Sequence, residues 1–456
     1  MPPEEEETEA EPRGTTDTAA DAQPATAVAD DPTAAGLSDA DLTTVAPDVL
    51  AGSLGEYFGA WGRRIRNGES GALPIVVGLV AIVIFFQIEQ STFLSSSNLV
   101  NLFVEAAAYI LFGAAEIWVL VLSEIDLSVG YVAGVAAFVI AELIAAPVNL
   151  PWWVGIIGGL LVCAFLGWVQ GTLITRLGLP SFIVTLGGLL GFEGVMLELA
   201  NIDKSAVGGV ISINSNSPVY NLVNGNISPA LGWIALVVVI AIFAAVTLRG
   251  TARRRARGLT TGPMSVTILR IVVTAVGGFV TVLICNRNRG NLTTLEGVPW
   301  VIPFVLLIIL GYSFFLSRTR PGRYIYAIGA NPEAARRAGI NVARIRTLGF
   351  VMCSVTAGLA GLAYESRQAS ISTDIDGGNL VLFGVAAAVI GGTSLFGGKG
   401  KMLHALLGGI VIAAVFNGLA LMGVSTAVQD MATAVVLIAA VTLDSLVRRR
   451  ASGVMR

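Results

Sequence analysis

Among the ionisable side chains inside the long apolar runs of this chain are Glu105, Glu116, Asp126, Glu142, Glu193, Glu198, Arg270, His404 and Asp430. A charge there is costly unless it faces a partner or a polar interior. Several lie near the ends of their runs, where a side chain reaches the polar boundary. Glu105, Glu116 and Glu193 lie deeper. Carboxylates and amides bind hydroxyl groups, as sugar sites do. Glu105, Glu116, Asp126, Glu193 and Asn417 are therefore candidates to line a polar path. The same side chains would serve equally as buried hydrogen bonds between helices, or as proton relays in a coupled carrier.

A second constellation lies between two apolar runs. Residues 318–346 carry seven arginines and one acid, Glu333, for a net charge of +6. Inside this loop is a miniature helix with start and stop signals. Asn331 suits the N-cap, Pro332 the first helical position, and Gly339 the left-handed C′ position. Glu333 and Arg337 are spaced i,i+4 in the order the helix dipole favours, with Ala334 and Arg336 between them. A helix of under two turns does not persist alone in water, so this one must rest on something. A cytosolic protein and an anionic lipid surface are the two candidates.

Other chemistries lack their residues. The stretch GGTSLFGGKGK at 391–401 resembles a phosphate loop, yet Thr393 and Gly400 stand where that loop needs a glycine and a hydroxyl. The chain therefore does not hydrolyse ATP by itself. No serine elbow or zinc-protease motif is present, and no catalytic residue is predicted. His404 is the only histidine, and Cys163, Cys285 and Cys353 form no CxxC pair. Neither a metal site nor a cofactor follows, and nucleic acid is not an implied partner.

The elements that hold these residues are membrane helices. Hydrophobic residues make up 54% of the 456 positions, charged residues 13%, and mean hydropathy is +0.77. That composition predicts an all-α polytopic membrane protein. Apolar runs of about 20 residues are read as spans. There are twelve: 72–88, 99–122, 126–146, 152–175, 181–200, 230–248, 266–285, 300–317, 347–365, 380–396, 402–422 and 428–446. The runs 126–146 and 380–396 are the weakest, as broken or re-entrant helices, so ten to twelve spans are expected. With the N-terminus inside, the cytosolic segments beyond Arg13 hold 22 of the 28 basic residues and the outer loops hold four. Both termini are thus expected in the cytosol.

Outside the spans, residues 1–50 contain no aromatic side chain and read as a disordered acidic tail. Residues 1–56 carry a net charge of −13, against +10 for the remainder. The tail lacks the pattern of a cleaved signal. Residues 51–71 suggest an amphipathic helix on the lipid surface, and 447–456 a basic cytosolic tail. The membrane body is 72–446. Outer loops 201–229 and 366–379 are rich in Asn, Ser and Gly, fit for connectors or for docking an external solute-binding protein. VLSEIDLSVG at 121–130 and VIGGTSLFGG at 389–398 echo one another, either as duplicated halves of a transporter would or as two short chance matches.

Five segments together resemble the permease subunit of bacterial ABC importers for monosaccharides. They are IDLSVG (125–130), LPSFIVTLGG (179–188), GRYIYAIGANPEAARRAGINV (322–342), VIGGTSLFGGKG (389–400) and NGLALMGVS (417–425). The resemblance covers residues 72–446 and is nearest the xylose, ribose and galactose group, most of all the xylose type. It departs at Ser123-Glu124, where that family has a pair of glycines. The resemblance implies a multi-pass protein of the bacterial inner membrane, paired with a second permease copy, cytosolic ATPase subunits and an external sugar-binding protein. Asn331, Glu333, Ala334, Arg336, Arg337 and Gly339 would then form the helix that couples to the ATPase.

Overall fold

A computed structural model describes residues 73–202, 208–258, 261–290 and 293–435, with isolated positions 55, 56, 59, 438 and 442. The acidic tail, the interfacial segment and the C-terminal basic tail fall outside this range, those isolated positions apart. Within it the chain is mainly helical.

Eleven apolar helices occupy the expected spans from 72–88 to 402–422. Eight are long and apolar enough to cross a membrane: α2 (Ser96–Leu120), α4 (Trp152–Leu177), α5 (Ser181–Ile202), α7 (Pro229–Ala256), α8 (Met264–Cys285), α9 (Val301–Arg318), α12 (Val342–Gln368) and α14 (Met402–Leu421). Three are shorter: α1 (Leu73–Glu89), α3 (Val129–Ile144) and α13 (Gly377–Ile390). A further helix starts at 426 and is described to 435.

Two of the expected boundaries are corrected. The run 380–396 is helical only to Ile390, and 126–146 only from Val129. At 1.5 Å per residue, the 14 residues of α13 reach about 21 Å, short of an apolar slab of roughly 30 Å. The cause is local. After α2, Ser123 adopts a left-handed φ of 65°, and the Glu124 amide reaches back to the Val119 carbonyl at 3.0 Å. After α13, Gly392 adopts φ 105°, and the Thr393 amide reaches back to Ala388 at 3.0 Å. Both are Schellman-type stops, which end a helix whatever the hydropathy beyond it.

The bundle is built around α2 and α12. α2 packs on α12, α13 and α14, and α12 on α3 and α4 as well. Trp118, Phe112, Phe138 and Phe350 are fully buried among them. α7 and α8 pair at the periphery; in α7 only Gly232 is buried, and most of its Val, Ile and Leu side chains point outward. In lipid this costs nothing, because the surroundings are as apolar as a core.

Short ribbons close one end of the bundle. β1 (Val210–Ser212) pairs antiparallel with β4 (Ser370–Ser372), Val210 facing Ser372. β2 (Asn226–Ile227) pairs with β3 (Val298–Pro299), beside α6 (Pro218–Asn224). The loop 201–229 is therefore ordered over most of its described part. The other end carries the arginine-rich segment.

Candidate functional site

At the arginine-rich end the segment 318–346 is not the loop its sequence predicts. Thr319 caps α10 (Arg320–Ala330), its hydroxyl accepting from the Gly322 amide at 3.2 Å. Pro321 fits the first turn. α10 buries Gly322, Ile325, Ile328 and Gly329, a helical spacing that the flanking arginines conceal. The miniature helix follows as α11 (Pro332–Arg337). The Asn331 side chain accepts from the Ala334 amide at 2.9 Å, and Gly339 turns left-handed at φ 80°. The expected Glu333–Arg337 pair is corrected: Glu333 meets Arg336 at 2.6 Å, i,i+3. Both side chains are about two-thirds exposed, so the pair itself adds little. Ala335 is the one buried residue of α11; Glu333, Ala334, Arg336, Arg337 and Gly339 face outward.

α10 sits where the two helix breaks meet. The Gly398 amide donates to the Val121 carbonyl at 2.9 Å, joining the two echoed segments directly. The Ser123 hydroxyl lies 3.0 Å from the Phe396 carbonyl and 3.3 Å from that of Gly329. Tyr326 donates to the Gly400 carbonyl at 2.6 Å. Burial pushes the Tyr326 hydroxyl above its ordinary value, so it remains a donor at neutral pH. Gly329 lies so close to the Val121 carbonyl that a Cβ would overlap it. From α12, Arg346 places Nε 3.2 Å from Glu124, a charge contact without the alignment of a hydrogen bond.

A second polar assembly lies at the ribbon end. Asn98 donates to Asn417 at 2.7 Å and to the Phe93 carbonyl at 2.9 Å, bridging α2 and α14. Asn417 also lies beside the Glu105 carboxylate. Arg367, at the end of α12, lies 3.9 Å from Glu105 and 3.4 Å from Asn101. Above them opens a cavity of about 410 Å³ whose polar side is formed by Ser97, Asn101, Asn224, Asn226, Arg289 and Gln368, and whose other side is apolar, with Val100, Val104 and Leu295. Such a lining offers hydrogen bonds to hydroxyls and presents no aromatic face.

Two of the five expected path residues, Glu105 and Asn417, therefore come together. Glu116 and Asp126 lie within electrostatic reach of each other toward the α10 end, both fully buried. Asp126 accepts from the Ser128 amide at 2.9 Å and its hydroxyl at 2.6 Å, which makes it a brace for the break before α3. Gln170 extends that brace by donating to Ser128 at 2.8 Å. Glu193 stands apart on α5, beside Tyr131. Asn98, Asn101 and Arg367 escape sequence reasoning. Asn98, Asn101 and Glu105 recur at i, i+3 and i+7, one helix face, and that spacing is the signal that finds them.

The sequence profile of the family described as the permease component of branched-chain amino acid transport systems matches residues 98–441. The chain belongs to this permease family. Among similar permeases is the xylose transport system permease protein XylH of Escherichia coli K12, 32% identical over 382 residues, 82% of this chain and 92% of the relative. The D-allose transport system permease protein AlsC of the same organism is 28% identical over 370 residues, 81% of this chain and 90% of its own length. The ribose import permease protein RbsC, also from Escherichia coli K12, is 27% identical over 370 residues, 81% and 92% of the two chains. No solved structure matches. A permease of such a transport system implies an ATPase and a substrate-binding protein as partners, and it is a transport component rather than an enzyme. This permease is a multi-pass membrane protein with its two polar assemblies at opposite ends of one helical bundle.

Proposed function

We propose that this permease carries a monosaccharide, a xylose-like pentose first, across a bacterial inner membrane, driven by a separate ATPase. The observation that carries the reading is the 32% identity to a xylose permease across 82% of the chain. In this reading the arginine-rich end faces the cytosol, as the positive-inside rule requires, with both termini on that side. α11 is the coupling helix: a capped rod whose Glu333, Ala334, Arg336 and Arg337 are free to contact an ATPase, held at its ends by Asn331 and Gly339. Anionic lipid supports the surrounding arginines. The ribbon end faces outward and receives solute from the binding protein. Glu105 and Asn417 belong to the path beneath the 410 Å³ cavity, with Arg367 and Asn101 beside them. Glu116, Asp126 and Glu193 are read as further polar stations on the path. A second copy of the permease completes the passage.

The test is reconstitution in sealed vesicles with the ATPase and binding protein. D-xylose uptake should require ATP and both partners, and should survive a protonophore. Uphill accumulation by the permease alone would refute the reading in favour of a secondary carrier. ATP-dependent uptake of an amino acid but no pentose would refute the substrate class alone.

A further inference from the structure

We propose that Ser123 and Glu124 are positioning residues for transport: they form the joint through which movement of α10–α12 reaches both broken helix pairs. The proposal rests on the coupling role read for α11, and goes beyond it by naming where the motion enters the bundle.

Three contacts define the joint. α10 reaches it through Gly329, whose carbonyl faces the Ser123 hydroxyl at 3.3 Å. The α13–α14 connection reaches it through the Phe396 carbonyl, 3.0 Å from the same hydroxyl. α12 reaches it through Arg346, 3.2 Å from Glu124. One turn of chain, Val121–Glu124, thus touches all three moving parts, while the Val121 carbonyl binds Gly398 at 2.9 Å.

The backbone argues that these side chains are there for a reason. Ser123 holds φ 65°, a conformation that favours glycine. A serine there carries a steric penalty, which its two carbonyl contacts offset. Space is made for it: at Gly397 a Cβ would overlap the Ser123 hydroxyl. Glu124 is 9% exposed, so its charge leans on Arg346 rather than on water.

The consequence lies at the other end. α2 carries Asn98 and Glu105, and α14 carries Asn417. Moving the two breaks together tilts α2 and α14, and the Asn98–Asn417 bond beneath the outer cavity is the contact that must shear.

The experiment uses the complete transporter in vesicles and reads ATP hydrolysed and solute taken up together. Ser123→Gly keeps the left-handed turn and removes the hydroxymethyl side chain that makes both carbonyl contacts. Glu124→Gln removes only the charge. The double variant should keep the ATPase subunit bound and hydrolysis within about twofold. Its uptake per ATP should fall about tenfold, within the range of coupling between distant sites. The exchange Glu124→Arg with Arg346→Glu should recover uptake to within about threefold of the original. Unchanged uptake per ATP in the double variant overturns the proposal, and so does a parallel loss of hydrolysis and uptake. Reversing Glu333 and Arg336 tests α11 separately: if the ATPase stays bound after that change, the docking role fails while the joint is still read from the ratio.

Discussion

Asn331 and Asn417 show how little chemistry each end of the bundle needs. Asn331 satisfies one amide of a six-residue helix, and with Pro332 it fixes where α11 begins. Asn331→Ala should cost α11 about 1 kcal/mol of local stability. Its readout is weaker co-purification of the ATPase subunit, with the melting temperature of the permease unchanged because the bundle does not depend on that cap. Asn417 is 4% exposed, bonds Asn98 and lies beside Glu105. Asn417→Leu strands a buried amide, a penalty of about 1–3 kcal/mol, and should lower both thermal stability and uptake. Asn417→Gln keeps both an acceptor and an amide donor and should retain more stability than Leu. Equal melting temperatures for the two variants would deny the network its structural role.

At the scale of elements, α10 carries the clearest lesson. Its buried residues follow a helical pattern, but two glycines and a proline within eleven residues disguise it. Sequence reasoning weighs such residues as breakers, whereas Gly329 is there for closeness rather than flexibility. Gly329→Ala should push α10 off the Val121 carbonyl. The expected result is a stable permease with much reduced transport; unaltered transport would mean that α10 need not touch the breaks. α13 carries the converse lesson. Gly391, Gly392, Thr393 and Ser394 separate Ile390 from Leu395 and Phe396, and the Schellman stop falls at Gly392, so the span read from composition overruns its helix by six residues.

For the whole molecule the decisive question is which end faces which compartment. The native cysteines Cys163, Cys285 and Cys353 are all buried, so they give little background in a labelling experiment. A cysteine introduced at Asn216, exposed at the ribbon end, should react with an impermeant maleimide in intact cells. One at Arg337 should react only after the cells are opened. The reverse pattern would invert the direction of transport proposed here.

Much of this was written locally. Hydropathy located the eleven apolar helices, because each apolar run meets its own requirement in lipid. The cap of α11 was legible, since Asn331, Pro332 and Gly339 act within one turn. The partner of Glu333 was not, because i+3 and i+4 arginines compete and only the built helix chooses between them. Nor could sequence show that residues 121–124 and 396–398 touch, or that Asn98 meets Asn417 across 319 positions. Periodicity reports what a residue needs from its neighbours along the chain. Which distant segments share a boundary depends on how whole helices pack, and that is a property of the assembled bundle alone.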